Sequence, residues 1–567
     1  MVGLRESESR TGTTRRGVAR VLSFPARRVL AAIAVGTLVS TVALANPATA
    51  APNDTANKLT RAVTLKGVLD HLNSFQHIAN RNGGTRASGT PGYDASANYV
   101  ARKLRAAGYR VTRQKFDFPY FEAFGSSFAQ VAPGQVSYVE GTDYTLLEYS
   151  GDGVAQGTVV PVDLNLTPPR ASTSGCEASD FTGVDVVGKI ALMQRGTCGF
   201  GDKVANAEAA GAIGAIIMNQ GNGTPQENPD RFELFNGTLS GPVATIPGVA
   251  VSYDTGAAFS TTAGLAVRIT ADTISEVRST ENVVAQTREG RTDNVVMAGA
   301  HLDSVPEGPG INDNGSGSAA LLEVALQMAE VKPANAVRFA WWGAEEANLL
   351  GSQYYVDQLT ERQVDNIALY LNFDMIGSPN YVFGVYDGDD SAQQGAGPGP
   401  EGSAEIEALF ERFFAARELP TVPSDFTGRS DYGPFIAAGI DIPSGGLFTG
   451  AEGLKTEAEA ALFGGVAGAA YDPCYHQRCD SKKPVVHGAD ADLYRELRGS
   501  HRLWGNVSTF ALDVNSDAVA TAVITYAFDT SAVNGVSKST DRAAAKTRSA
   551  PVAEVAADAH GHGHPWK

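Results

Sequence analysis

Six side chains in this sequence have the chemistry of metal ligands or of a general base: His301, Asp313, Glu345, Glu346, Asp374 and His476. His301 directly follows the apolar run Asn294–Ala300, Glu345 and Glu346 follow Val337–Trp341, and Asp374 follows Ile367–Phe373. If those runs are parallel strands, all four residues lie at their carboxyl ends, where open α/β sheets build their sites. Asp313 sits in the glycine-rich stretch Gly308–Gly317, whose backbone can approach a ligand closely. Singly, each residue has an ordinary use. An aspartate in a Gly/Asn-rich loop shapes turns, paired glutamates at a helix entrance suit the helix dipole, and a histidine after a strand can belong to the core. Together they are harder to place, because crowded carboxylates repel one another unless cations lie between them. A mixed carboxylate and imidazole set suits Zn²⁺ better than Co²⁺ or Mn²⁺.

The sixth residue comes from a distant stretch, Cys474-Tyr475-His476-Gln477-Arg478-Cys479. A disulfide across so small a loop would hold His476 in one orientation, as a ligand requires. His487 is the rival donor. Asp303, two residues beyond His301, is placed to fix the tautomer of that imidazole.

These residues need a sheet to carry them. Between about 276 and 514, apolar strands alternate with the amphipathic helices Ser318–Val331, Asn348–Leu359 and Ala404–Glu418. That alternation predicts an α/β fold with a mostly parallel, mixed sheet covered by helices on both faces. Residues 51–135 supply a first part of the same domain: a helix from Asp94, its N-cap, to Gly108, then a strand from Tyr109 to Phe118. From 136 to 275 the texture becomes β-rich and poor in charge, as expected of a small inserted module. Residues 515–567 lack clear periodicity and are expected to be a flexible tail, with His560, His562 and His564 solvated at its end.

The first fifty residues resemble a signal peptide. Arg15, Arg16, Arg20, Arg27 and Arg28 precede the apolar run Val29–Ala45, and Ala48-Thr49-Ala50 offers a cleavage point. The run is shorter than the roughly 20 residues that span a bilayer, so the expectation is a secreted, extracellular protein released from the membrane once cleaved. A formal net charge of −17 argues against nucleic acid or an anionic membrane as partner. The four cysteines allow three pairings, of which the two short loops, Cys176–Cys198 and Cys474–Cys479, are expected in an oxidising compartment.

The sequence resembles the secreted bacterial dizinc aminopeptidases, relatives of leucyl aminopeptidases. The resemblance is carried by His301-Leu-Asp-Ser304, Gly310-Ile-Asn-Asp-Asn-Gly-Ser-Gly317, Trp342-Gly-Ala-Glu-Glu346, Asn372-Phe-Asp-Met375, Gly428-Arg-Ser-Asp-Tyr432, Ser444-Gly-Gly-Leu-Phe448 and Cys474-Tyr-His476. It implies two zinc ions bridged by Asp313, one completed by His301 and Asp374, the other by Glu346 and His476. Glu345 would then be the general base for a water shared by the metals, and the Tyr475 hydroxyl would steady the developing oxyanion. The resemblance also implies that Arg429 contacts substrate and that Met375, Gly428, Phe448 and Tyr475 line a pocket for a large apolar first residue. Gly188-Lys-Ile-Ala-Leu-Met-Gln-Arg-Gly-Thr-Cys-Gly-Phe200 in the middle module is similar to the protease-associated domain, which would serve substrate access or act as an inert spacer.

The expected substrates are therefore the N-termini of peptides and proteins, and the expected state is a monomer; calcium modulation is left open. Three other readings use the same scaffold: a carboxypeptidase, a one-zinc glutaminyl cyclase, and a binding homologue that has lost catalysis.

Overall fold

The computed structural model describes residues 52–395 and 397–536, so the expected signal peptide and the three C-terminal histidines lie outside the described residues. After a short helix at Ala56–Ala62 come α1 (Leu65–Arg81) and α2 (Pro91–Ala106). Thr90, rather than Asp94, caps α2: its hydroxyl accepts the Tyr93 N–H, and Pro91 occupies the first turn. Proline at that position lacks only a donor that the helix could not have used, so the helix starts one turn earlier than the apolar spacing suggests.

Strand β1 (Arg110–Ala132) runs well beyond the expected end at Phe118. Its partner is the equally long β6 (Ala266–Gln286), antiparallel from Arg110↔Gln286 to Ala132↔Ala266, with a bulge near Ala123 and Gly125. Between them in the chain lie β2 (Gly153–Pro161), β3 (Ile190–Gln194), α3 (Phe200–Ala209), β4 (Gly214–Met218), β5 (Gly248–Val251) and α4 (Tyr253–Thr261). Strands β2 to β5 pair in parallel, and β2 joins β6 antiparallel. The module has its own apolar core, which includes Phe128 and Ile269 from the ribbon. It therefore begins inside β1, before the expected boundary at 136, and the two modules share a ribbon instead of a linker.

The other end of that ribbon enters the main sheet. Here β7 (Arg291–His301), β8 (Asn335–Trp342), β9 (Ile367–Phe373) and β10 (Ser444–Phe448) lie in the order β10-β9-β7-β8-β6. The first three pairings are parallel and β8–β6 is antiparallel, which makes the sheet mixed. All seven residues of β9 are buried, the mark of a strand covered on both faces. One face packs on α1, α2, α5 (Gly315–Gln327) and α8 (Thr509–Phe528). The opposite face packs around Trp342, Tyr355, Tyr370 and Phe435, and α6 (Leu350–Asp357) lies on that side. Helix α7 (Ser403–Ala415) borders β10 through Ile406 against Gly445.

While 537–567 lie outside the described residues, over 515–528 the expected flexible tail is replaced by α8. Twelve of its residues, among them Leu512, Val519 and Val523, are buried against the main core. Its outward stripe of Phe510, Asp513, Asp517, Thr521 and Thr525 mixes an aromatic ring with carboxylates and hydroxyls, so the amphipathic period is weak in sequence. Among the described residues, no helix is long and apolar enough to cross a membrane.

Candidate metal centre

His301 ends β7, paired in parallel with Trp342 at the end of β8. Glu345 and Glu346 occupy the turn between β8 and α6, and Asp374 follows β9. Asn314 caps α5, its side chain accepting the Gly317 N–H at 2.9 Å, which sets Asp313 at the helix entrance. The chain turns sharply at Ala344, Met375 and His476, all non-glycine residues with positive φ. Such conformations cost of order 1–3 kcal/mol each and are held by their surroundings. Here they aim side chains at one edge of the sheet.

At that edge the two carboxylate oxygens of Asp313 face different histidines. Oδ1 lies 3.2 Å from His301 Nε2, and Oδ2 lies 3.3 Å from His476 Nε2. Asp374 Oδ1 is also 3.2 Å from His301 Nε2, and Glu346 Oε2 is 3.0 Å from His476 Nε2. Three groups of three donors lie at this edge, each with ligand atoms within 4.8 Å of one another: His301 with Asp313 and Asp374, Glu346 with Asp313 and His476, and His301 with Glu345 and Glu346; the first two share Asp313. Glu345 stands 3.8 Å from His301 Nε2 through its Oε2. Both disulfides expected from loop length are formed, and Cys474–Cys479 closes the loop that carries His476. His487 stays outside the cluster, its Nδ1 2.8 Å from the Ser481 hydroxyl.

Burial pushes the Glu346 carboxyl up to about 7 and the Glu345 carboxyl well above its ordinary value, against the lowering charges of His476 and His301 respectively. For the two histidines burial opposes charge, yet the carboxylates outweigh it and raise both: Glu345 and Asp374 act on His301, Glu346 and Asp313 on His476. Glu346 Oε1 is buried without a hydrogen-bond partner. The donor set therefore fits divalent cations, which would satisfy these oxygens and remove the mutual repulsion. Nitrogen and carboxylate donors in two groups of three, sharing one aspartate, match zinc chemistry.

Several further residues hold the ligands from behind. Ser430 donates to Asp374 Oδ2 at 2.7 Å. The Asp480 carboxylate accepts the backbone N–H groups of Asn312 and Asp313, each at 2.9 Å, so it holds the loop behind the shared aspartate. Arg86 is fully buried and donates to the carbonyls of Leu302, Pro309 and Gly310, on the segment between His301 and Asp313. Asp303 lies 3.6 Å from His301 Nδ1, longer than a hydrogen bond, and it also accepts the Glu345 N–H at 3.4 Å. The motif Gly428–Tyr432 gave a hint of Ser430; nothing marks Arg86 or Asp480, whose partners are backbone groups.

The other expected residues ring the same edge. Thr449 N–H donates to the Met375 carbonyl at 3.0 Å, which ties the end of β9 to the end of β10 and brings Met375 near Phe448. Gly428 N–H donates to the Tyr432 hydroxyl at 3.0 Å. The Tyr475 ring stacks on His476, centroids 3.8 Å apart. Arg429 pairs with Glu452 at 2.8 Å.

Residues 282–495 match peptidase family M28, and residues 155–259 match the PA domain. An aminopeptidase of Pseudomonas aeruginosa is 46% identical over 466 residues, 82% of this chain and 84% of that one. The chain belongs to peptidase family M28. A probable lipoprotein aminopeptidase of Mycobacterium tuberculosis is 40% identical over 491 residues, covering 85% of this chain and 89% of its own. Among solved structures, an aminopeptidase from Aneurinibacillus sp. strain AM-1 shares the fold, with a TM-score of 0.55, 23% identity, and coverage of 83% of this chain and 95% of the other. This M28 chain is thus a peptide hydrolase with a PA domain inserted ahead of its M28 region.

Proposed function

We propose that the chain is an exported aminopeptidase that holds two zinc ions and removes large apolar residues from peptide N-termini. One observation carries the reading: Asp313 presents one oxygen to the His301 group and the other to the His476 group. His301, Asp313 and Asp374 would hold one ion, and Glu346, Asp313 and His476 the other. When bound, zinc supplies Lewis acidity, lowering the pKa of water and polarising a carbonyl. Export is supported by the basic and apolar leader, by two disulfides, and by the lipoprotein relative.

Glu345 is the general base. The resemblance to the dizinc aminopeptidases supports this role; the residue is buried at the acidic edge, 3.8 Å from His301 Nε2, and would take a proton from the attacking water and return it to the leaving amine. Tyr475 donates its hydroxyl to the oxygen of the scissile carbonyl. Burial, then the charges of Asp313 and Glu346, raise the phenol far above its ordinary value, so it remains a donor throughout the working range. Asp303 orients His301 and the Glu345 backbone. The substrate's α-ammonium is drawn to Glu345 and Asp374, which favours a free N-terminus. Met375, Phe448, Gly428 and Tyr475 take the first side chain, and apolar contacts discriminate by only about 1–3 kcal/mol per methylene, so preference among Leu, Met and Phe is graded.

The test combines metal analysis with hydrolysis of leucyl and N-acetyl-leucyl anilides by the wild type and Glu345→Gln. Two zinc ions in both proteins, cleavage of the free leucyl compound alone, and a loss of at least a thousandfold in the variant are expected. One zinc per chain with glutaminyl cyclisation, or release from peptide C-termini, would replace the reading with one of the related activities.

A further inference from the structure

Arg429 and Glu452 form an ion pair at 2.8 Å whose side chains are 46% and 49% exposed. They are unusual in this setting: His301, Asp313, Glu345 and Asp374 are all buried. The pair is nevertheless close to the chemistry. Burial works against the Arg429 guanidinium, but its bond to Glu452 and the neighbouring Tyr475 raise it above the usual arginine value. Arg429 precedes Ser430, whose hydroxyl donates to Asp374 Oδ2 at 2.7 Å, and the carbonyl of Ala451, beside Glu452, accepts the N–H of Asp472 at 2.8 Å, three residues before Tyr475. The pair therefore occupies the outer rim on the His476 and Tyr475 side of the site.

An enzyme that accepts only chain termini must close one end of its site and leave the other open. The α-ammonium and the first side chain go to the closed end, among Glu345, Asp374 and Met375. The remainder of the peptide leaves through the open end, so its second residue passes the half-exposed rim. The resemblance implies that Arg429 contacts substrate, and Glu452 takes no part in the chemistry described above.

Resting on the aminopeptidase reading, we propose that Glu452 sets the charge preference for the second residue of the substrate. Its carboxylate neutralises Arg429, so the wild-type rim presents a balanced pair to that side chain. Without Glu452 the rim carries an uncompensated cation beside the scissile bond. It then attracts an acidic second residue, or the terminal carboxylate of a dipeptide, and repels a lysine. Unit charges a few ångströms apart near a protein surface shift a rate constant by about tenfold, and salt screens the effect.

The experiment measures kcat/KM for Leu-Asp-amide and Leu-Lys-amide with the wild type, Glu452→Gln, Glu452→Lys and Arg429→Gln, at low and high salt. The Asp-to-Lys ratio is expected to rise about tenfold in Glu452→Gln and further in Glu452→Lys. It should fall below the wild-type ratio in Arg429→Gln, where the glutamate is left alone, and every change should shrink in high salt. A ratio cancels any loss of active fraction, so partial misfolding of a variant cannot imitate the result. Ratios within twofold of wild type in all three variants overturn the proposal. Failure of the wild type to release leucine from either peptide instead removes the aminopeptidase reading on which it rests.

Discussion

Asp313 Oδ2 lies 3.3 Å from His476 Nε2, although the two residues come from opposite ends of the main domain's sequence. The contact exists because each residue is held from behind. The Asp480 carboxylate receives the Asp313 N–H, and the Cys474–Cys479 bond fixes the loop of His476. Asp480 directly follows Cys479, so one short segment serves both sides of the contact.

Removing the two donors should have unequal effects on metal. His476→Ala takes one donor from one group and should lower the content from two zinc ions to one per chain. Asp313→Ala takes a donor from both groups and should bring it below one. Elemental analysis after dialysis reads the difference; equal contents in the two variants would mean that Asp313 is not shared.

Arg86 should matter for stability more than its distance from substrate suggests. Its guanidinium satisfies three backbone carbonyls and stands over the Phe75 ring. Arg86→Met keeps much of the volume and leaves those buried acceptors unpaired, at an expected loss of about 3 kcal/mol in urea unfolding. Arg86→Lys should fall between the variant and the wild type, because an ammonium lacks the planar fork. A Met variant as stable as the wild type would show that water replaces the guanidinium at no loss.

A pH dependence follows from His501, which packs on Tyr381 and has no hydrogen-bond partner for its Nε2. Burial depresses its pKa to about 4, from 6.5 for the free side chain. The unfolded chain therefore binds a proton that the native protein refuses between those values. Stability from this group is fully present above about pH 6.5 and is lost as pH falls to about 4. The slope approaches 1.4 kcal/mol per pH unit within that window. Replacing His501 with Phe keeps the aromatic contact and should flatten this part of the curve, as read by unfolding at pH 7, 6 and 5. An unchanged difference between pH 7 and 5 would assign the acid sensitivity elsewhere.

Helix α8 should behave as core. Leu512→Ala and Val523→Ala each delete a fully buried side chain, with expected losses of about 2–5 and about 1–3 kcal/mol respectively. Thermal unfolding measures both. Substitutions without effect would return the segment to the status of an appended tail.

How much was legible in the sequence depends on how local the determining signal is. Apolar runs such as Ile367–Phe373 announce buried strands by composition alone, and a residue that follows a parallel strand is committed to one edge of the sheet. His301, Glu345, Glu346 and Asp374 could thus be grouped before any geometry was known. The short spacing of Cys474 and Cys479 likewise limits how far the ends of their loop can separate. Other features were hidden because their cause is not local. Helix α8 turns a mixed stripe outward, Phe510 beside Asp513 and Asp517, so its period is weak to detect. The ribbon of β1 and β6 carries one module's core at one end and the other module's at the other, so composition cannot place a boundary along it. Arg86 and Asp480 act on backbone groups, which every residue possesses, and their roles have no sequence code. The sequence by itself thus determined which side chains are available and on which edge most of them stand. Tertiary structure decided that Asp313 faces two histidines at once, since that needs two remote loops to meet at a distance only packing can set.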